Sequence, residues 1–166
     1  IFEQFNNISE RESGILKNEK IAKEKFDFLG EVLLGHLRYA THGSDKEGLA
    51  HPRIRASNWM TRTLLVAGNF NLTNVDELFQ TLIELGQIPR EVSDTMTVLE
   101  KIGHFLDAEN QRLFKYYKTQ GHDNKTITNL IAENLDYKKI LSNSAEDFDG
   151  GYVMGGLIGH GDAFVM

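Results

Sequence analysis

The sequence predicts an α+β fold, and three observations predict it. Two β-type runs, residues 31 to 40 and 61 to 68, come early. Residues 75 to 147 then carry apolar positions at helical spacing. Residues 151 to 158 and 163 to 166 return to a strand pattern around Gly159-His160-Gly161-Asp162. Strand, strand, several helices, strand, strand is a layered order, not the alternation of a doubly wound sheet. No phosphate-binding glycine motif is present.

Composition narrows the class. The 166 residues are 40% apolar and 25% charged, enough for one domain with a real core. Net charge is −6 and the basic residues are scattered, which argues against a nucleic-acid partner. No apolar run approaches the roughly 20 residues of a membrane span. There is no cysteine, so these residues hold no disulfide, thiolate metal site or thiol nucleophile. The chain starts at Ile1 and stops in the apolar run Ala163-Phe164-Val165-Met166, so a fragment is expected, with a fold incomplete at both ends.

Residues 1 to 29 are polar and read as a connecting segment, and the domain is expected over 30 to 166. The strand at 31 to 40 begins with Val32, Leu33 and Leu34 and places Arg38 near its exit, followed by Thr41, His42 and Gly43. An arginine at the end of a buried strand needs an anion, either a ligand carboxylate gripped by two parallel hydrogen bonds or one of the 24 acidic residues. Residues 42 to 60 read as a long loop, in which His51-Pro52, Arg53 and Arg55 could face a ligand or the solvent.

The strand at 61 to 68 exits into Asn69-Phe70-Asn71-Leu72-Thr73-Asn74, a turn dense in hydrogen-bonding groups. Asn74 and Glu77 form a capping-box-like start for a helix over 75 to 85, with Gly86 past its end. Asn69 has no such structural assignment and is the freer group for chemistry. Ser93 caps the next helix, and Asp94 in its first turn suits the helix dipole or a ligand ammonium. Val98, Leu99, Ile102, Phe105 and Leu106 continue that helix, and others follow over 110 to 120, 126 to 135 and 137 to 147. His104, His122 and His160 lack metal-ligand spacing and read as structural or surface groups, so no metal site is expected.

Three segments together resemble the class II glutamine amidotransferase domain: Gly35-His36-Leu37-Arg38-Tyr39-Ala40-Thr41-His42-Gly43, Ala67-Gly68-Asn69-Phe70-Asn71-Leu72-Thr73-Asn74 and Ser93-Asp94-Thr95. Their order and spacing match, and the resemblance covers residues 30 to 166, a partial glutaminase domain. It implies the N-terminal-nucleophile hydrolase αββα sandwich, in which an N-terminal cysteine attacks the glutamine amide with its own amino group as base. It implies that Arg38 binds the glutamine α-carboxylate with Thr41 beside it, and that Asp94 binds the α-ammonium. The Asn69 side chain and the backbone N–H of Phe70 would donate to the oxyanion.

Within the family, Asn71-Leu72-Thr73-Asn74, Glu77-Leu78-Phe79 and Arg38-Tyr39 are most similar to the amidophosphoribosyltransferase branch of purine synthesis. That branch implies a cytoplasmic homo-oligomer passing ammonia to phosphoribosyl pyrophosphate, with magnesium in a phosphoribosyltransferase domain absent here and no cofactor in this one. Ala40-Thr41-His42-Gly43 and Ala50-His51-Pro52 resemble the branch making glucosamine 6-phosphate. The further alternative is a non-catalytic binding module of the same fold. The chain departs from the family in lacking the cysteine and in having Gly68-Asn69-Phe70 where His-Asn-Gly is usual.

Overall fold

The computed structural model describes residues 14–26, 29–37, 50–89 and 91–166. The chain divides into two compact units, Ile1–Leu33 and Leu34–Met166. In the first, a 3-10 turn (Ile15–Lys17) leads into helix α1 (Glu19–Lys25), capped by the Asn18 side chain accepting from the Ile21 N–H at 3.2 Å. Lys23 pairs with Glu19 and Glu31 at 2.7 and 2.6 Å.

The second unit is α+β. Strand β1 (Arg53–Arg55), a 3-10 turn (Met60–Arg62) and strand β2 (Leu64–Leu72) come first. Helices α2 (Val75–Glu84), α3 (Asp94–Thr119), α4 (Asn124–Asn134) and α5 (Tyr137–Ala145) follow. Strands β3 (Gly150–Ile158) and β4 (Ala163–Val165) close the unit. The sheet is antiparallel in the order β1-β2-β3-β4, with Leu64 opposite Ile158 and Leu72 opposite Gly150.

The strand period of two sorts most of β2, with Ala67 buried on the face of Asn69 and Asn71. Leu64, Val66 and Leu72, with Met154 and Ile158 of β3, join the core formed by Val98, Leu99, Ile102, Leu106 and Leu113 of α3. Leu78 of α2, Ile127 and Ile131 of α4 and Ile140 of α5 complete it. Asn69, Asn71 and Val153 stand on the other face and are exposed.

Several expectations change here. Residues 31–37 form no strand, and Leu33 and Leu37 are 59% and 99% exposed. An apolar run becomes a strand only where a neighbour completes its ladder, and β1 and β4 hold the positions beside β2 and β3. Part of the expected loop at 42–60 is ordered as β1 and the start of a 3-10 turn. The predicted turn after Gly68 is instead four more residues of β2, because β3 pairs with it as far as Leu72. The helices expected at 94–106 and 110–120 are one helix, α3. Within it Asn110 is fully buried, donates to Thr61 O and Leu106 O at 3.0 and 2.8 Å and accepts from the Thr61 hydroxyl at 2.5 Å. Asn74 sits at the start of α2 without capping it. Its amide donates to Asp147 O at 2.8 Å and its oxygen accepts from the Asp149 N–H at 3.2 Å, tying α2 to the entry of β3.

Asn110→Ala leaves a buried threonine and two carbonyls short of their partner, and is expected to cost about 2 kcal/mol in urea unfolding. A change under about 0.5 kcal/mol would show that the contact is dispensable.

The β3–β4 turn is pinned to α5 by a polar cluster. The Tyr137 hydroxyl donates to Asp162 at 2.6 Å and lies 2.9 Å from His160 Nε2, itself 3.1 Å from the same carboxylate. The Tyr137 hydrogen bond, then that of His160, holds the Asp162 carboxyl below its ordinary 3.8. A depressed carboxyl stabilises the fold above its unfolded value, and that contribution is lost as pH falls through the folded one. The stability difference between wild type and Tyr137→Phe is therefore expected to be full near pH 6 and to shrink below 3.8, measured by unfolding across that range.

Candidate functional site

The backbone of β2 runs past the end of β1. Arg53 of β1 stands opposite Val66, and one further step of the register sets His51 opposite Gly68. There the ladder gives way to a side chain: the Gly68 N–H donates to His51 Nδ1 at 3.3 Å. Two ladder steps on, the Leu72 N–H donates to Asp94 Oδ2 at 3.4 Å. Alternate residues of a strand turn their N–H groups to the same side, so the Phe70 N–H is directed to this edge too. It lies between the His51 and Asp94 contacts, about 6.8 Å along the strand from each neighbouring donor.

The remaining groups are set by α3. Ser93 caps the helix by accepting from the Met96 N–H at 3.3 Å. Asp94 therefore occupies the first turn, where the helix dipole favours a carboxylate. Thr95 Oγ1 lies 3.0 Å from His51 Nε2. The His51 ring also lies 4.8 Å from that of His36 and 6.2 Å from that of Phe70, centroid to centroid. His36 Nδ1 is buried without a hydrogen-bond partner among the described residues, the kind of atom that a bound polar molecule satisfies.

Of the residues singled out in the sequence, Asn69, Phe70 and Asp94 lie at or beside this edge. Asn69 is exposed on the sheet face away from α3. Arg38 and Thr41 lie outside the described residues. Two loop arginines serve as internal ion pairs. Arg53 bonds Glu91, and Arg55 bonds Glu100 at 2.9 Å and Asp107 at 2.7 Å. Burial opposes the Arg55 charge, but hydrogen bonds and charge from Asp107, then Glu100, outweigh it and raise the guanidinium above its ordinary value. Gly103 makes room: a Cβ there would stand 2.5 Å from Arg55 Cδ. Among the described residues no three His, Asp or Glu side chains gather so as to hold a metal ion. No helix there is long and apolar enough to cross a membrane.

The sequence had marked His51 only as one of several polar loop groups, and had not marked Thr95 for a role. The usable signal was the register: His51 comes two residues before β1, which only the pairing of β1 with β2 reveals.

The edge carries the Phe70 N–H and a carboxylate at a helix start, and the neighbouring Asn69 amide is exposed on the sheet face away from α3. Comparison with known proteins points to a glutamine amidotransferase-type domain. The chain is similar to the glutamine–fructose-6-phosphate aminotransferases (isomerizing) of three organisms. With that of Sulfolobus acidocaldarius it is 29% identical over 123 residues, 74% of this chain and 20% of the relative. With that of Methanococcus maripaludis it is 35% identical over 88 residues, 52% of this chain and 13% of the relative. With that of Pyrococcus horikoshii it is 33% identical over 103 residues, 60% of this chain and 16% of the relative. The chain thus spans a fifth or less of the length of these curated relatives. No family model matches it.

Because Arg55 is committed to Glu100 and Asp107, Arg55→Met is expected to lower stability by about 2 kcal/mol, leaving Glu100 unpaired and Asp107 with only Arg62 at 4.0 Å. Glutamine affinity should stay unchanged. Titration calorimetry beside urea unfolding checks both, and an unchanged stability would contradict the structural role.

Proposed function

We propose that this chain is the glutamine-binding part of a glutamine amidotransferase that feeds ammonia to fructose 6-phosphate, yielding glucosamine 6-phosphate. The observation that carries the reading is the Asp94 carboxylate held at the edge of β2 by the Leu72 N–H, one ladder step from the Phe70 N–H, in a chain similar to glutamine–fructose-6-phosphate aminotransferases. In this reading the α-ammonium pairs with Asp94, and the α-carboxylate with Arg38 beside Thr41. The carboxamide oxygen takes hydrogen bonds from the Asn69 amide and the Phe70 N–H. Both strengthen as nucleophilic attack turns that oxygen into an anion, an effect typically of about 3 kcal/mol per donor. The Phe70 N–H and the Leu72 N–H that holds Asp94 are about 6.8 Å apart by strand rise. An extended glutamine has five bonds from its ammonium to its amide oxygen, and bond angles bring their contour of about 7.5 Å down to about 6 Å end to end.

The attacking thiolate lies outside these 166 residues, which have no cysteine. Their part is binding, orientation and oxyanion stabilisation. The Ntn-type αββα sandwich and a homo-oligomeric assembly belong to this proposal.

A second reading keeps the same glutamine site and passes ammonia to phosphoribosyl pyrophosphate, with magnesium in a separate domain. Asn71-Leu72-Thr73-Asn74 favours it. The relatives reported above favour fructose 6-phosphate.

Titration calorimetry with L-glutamine tests the site. Wild type is expected to bind. Asp94→Asn and Asn69→Ala should weaken binding about tenfold or more, with the fold unchanged by circular dichroism. No binding by the folded wild type at about ten times the usual 1 mM upper range for substrate affinity would overturn the reading.

A further inference from the structure

We propose that His51 is a positioning residue for this site. Its ring holds the edge of β2 next to Asn69 and Phe70 against the first turn of α3 next to Asp94. The inference rests on the glutamine-site reading and adds to it the group that sets the spacing between the oxyanion donors and the ammonium partner.

The argument starts from the two ring nitrogens. Nδ1 receives the Gly68 N–H at 3.3 Å. A backbone N–H can only donate, so Nδ1 presents its lone pair. The neutral ring then carries its proton on Nε2, which faces Thr95 Oγ1 at 3.0 Å and donates to it. One imidazole in one tautomer thus joins two elements far apart in sequence.

Where the two ends of this bridge fall gives it its consequence. Gly68 directly precedes Asn69, and Thr95 directly follows Asp94. Each anchor is one residue from a group that the proposed chemistry uses. On the far side, β2 is backed closely by β3: a Cβ on Gly68 would stand 2.4 Å from Val153 O and 2.8 Å from Met154 Cβ. The strand therefore has no room to shift toward β3. The ring fixes its other edge, where β1 no longer pairs with it. The Phe70 ring beside His51, at 6.2 Å, belongs to the residue whose N–H is directed to the same edge. Displacing the ring would free Gly68 and the start of α3 to move independently, and a site that must hold both ends of one small molecule would lose its spacing.

The test combines a spectroscopic signature with binding. In the wild-type chain, long-range proton–nitrogen NMR should show the His51 Nε2–H tautomer, and the Gly68 amide should be protected from exchange. In His51→Ala, Gly68 should lose that protection and L-glutamine affinity should fall about tenfold. His51→Gln, which retains an acceptor and a donor, should recover part of the affinity. Thr95→Val cuts only the Nε2 link, and serves if His51→Ala does not fold; it too should weaken glutamine binding. Wild-type affinity in folded His51→Ala or in Thr95→Val, or a proton on Nδ1, would overturn the positioning role while leaving the glutamine site standing. Absence of glutamine binding by wild type would instead remove the site reading, and the positioning role with it. The tautomer and the Gly68 protection would then report a purely structural bridge.

Discussion

The contact between α3 and the sheet is the constraint on which the rest of the Leu34–Met166 unit depends. Val98, Leu99, Ile102 and Leu106 lie against Leu64 and Val66 of β2 and Met154 and Ile158 of β3 in one core. The 26-residue helix is buried on more than one side because α2, α4 and α5 also pack on it. Its polar positions are therefore specific contacts. Asn110 anchors the 3-10 turn before β2, and Arg55 of β1 lies over Gly103 between two acidic side chains. A fully buried asparagine is tolerated only because its hydrogen bonds are made. That requirement fixes how α3 is rotated against the sheet.

With the rotation fixed, the first turn of α3 meets the edge of β2 that no strand pairs beyond β1 among the described residues. The edge exists because β1 is three residues long and β2 is nine. An unpaired strand edge presents backbone donors that something must satisfy. Here a histidine ring and an aspartate do so at Gly68 and Leu72, and the Phe70 N–H between them has the same direction. The candidate site is thus a by-product of unequal strand lengths. This explains how backbone groups, which carry no sequence signature, come to be a central part of it.

Much of the helical half was legible in the sequence. The stripe Val98, Leu99, Ile102, Leu106 was read as a helix face and is the core; Ser93 was read as a cap and caps. The β-rich run at 31–40 was read as a strand, and residues 31–37 are not one. The residues after Gly68 were read as a turn because three asparagines stand in six positions, and they continue β2. Strand formation depends on a neighbour, and no local pattern reports whether one exists. Helical hydrogen bonds close within four residues, which is why the helices were the easier half to read.

The sequence by itself determined the α+β class and the helix faces. Those follow from periodicity and capping chemistry, both written within a few residues of each position. Only the tertiary structure decided that Asn69 stands in a strand, that Arg53 and Arg55 are internal ion pairs, and that His51 reaches both Gly68 and Thr95. Each of these depends on contacts between residues distant in the chain, from Gly68 with His51 to Asn69 with Val153. Contacts at that range are set by how the sheet and α3 pack, through a register that no single segment contains.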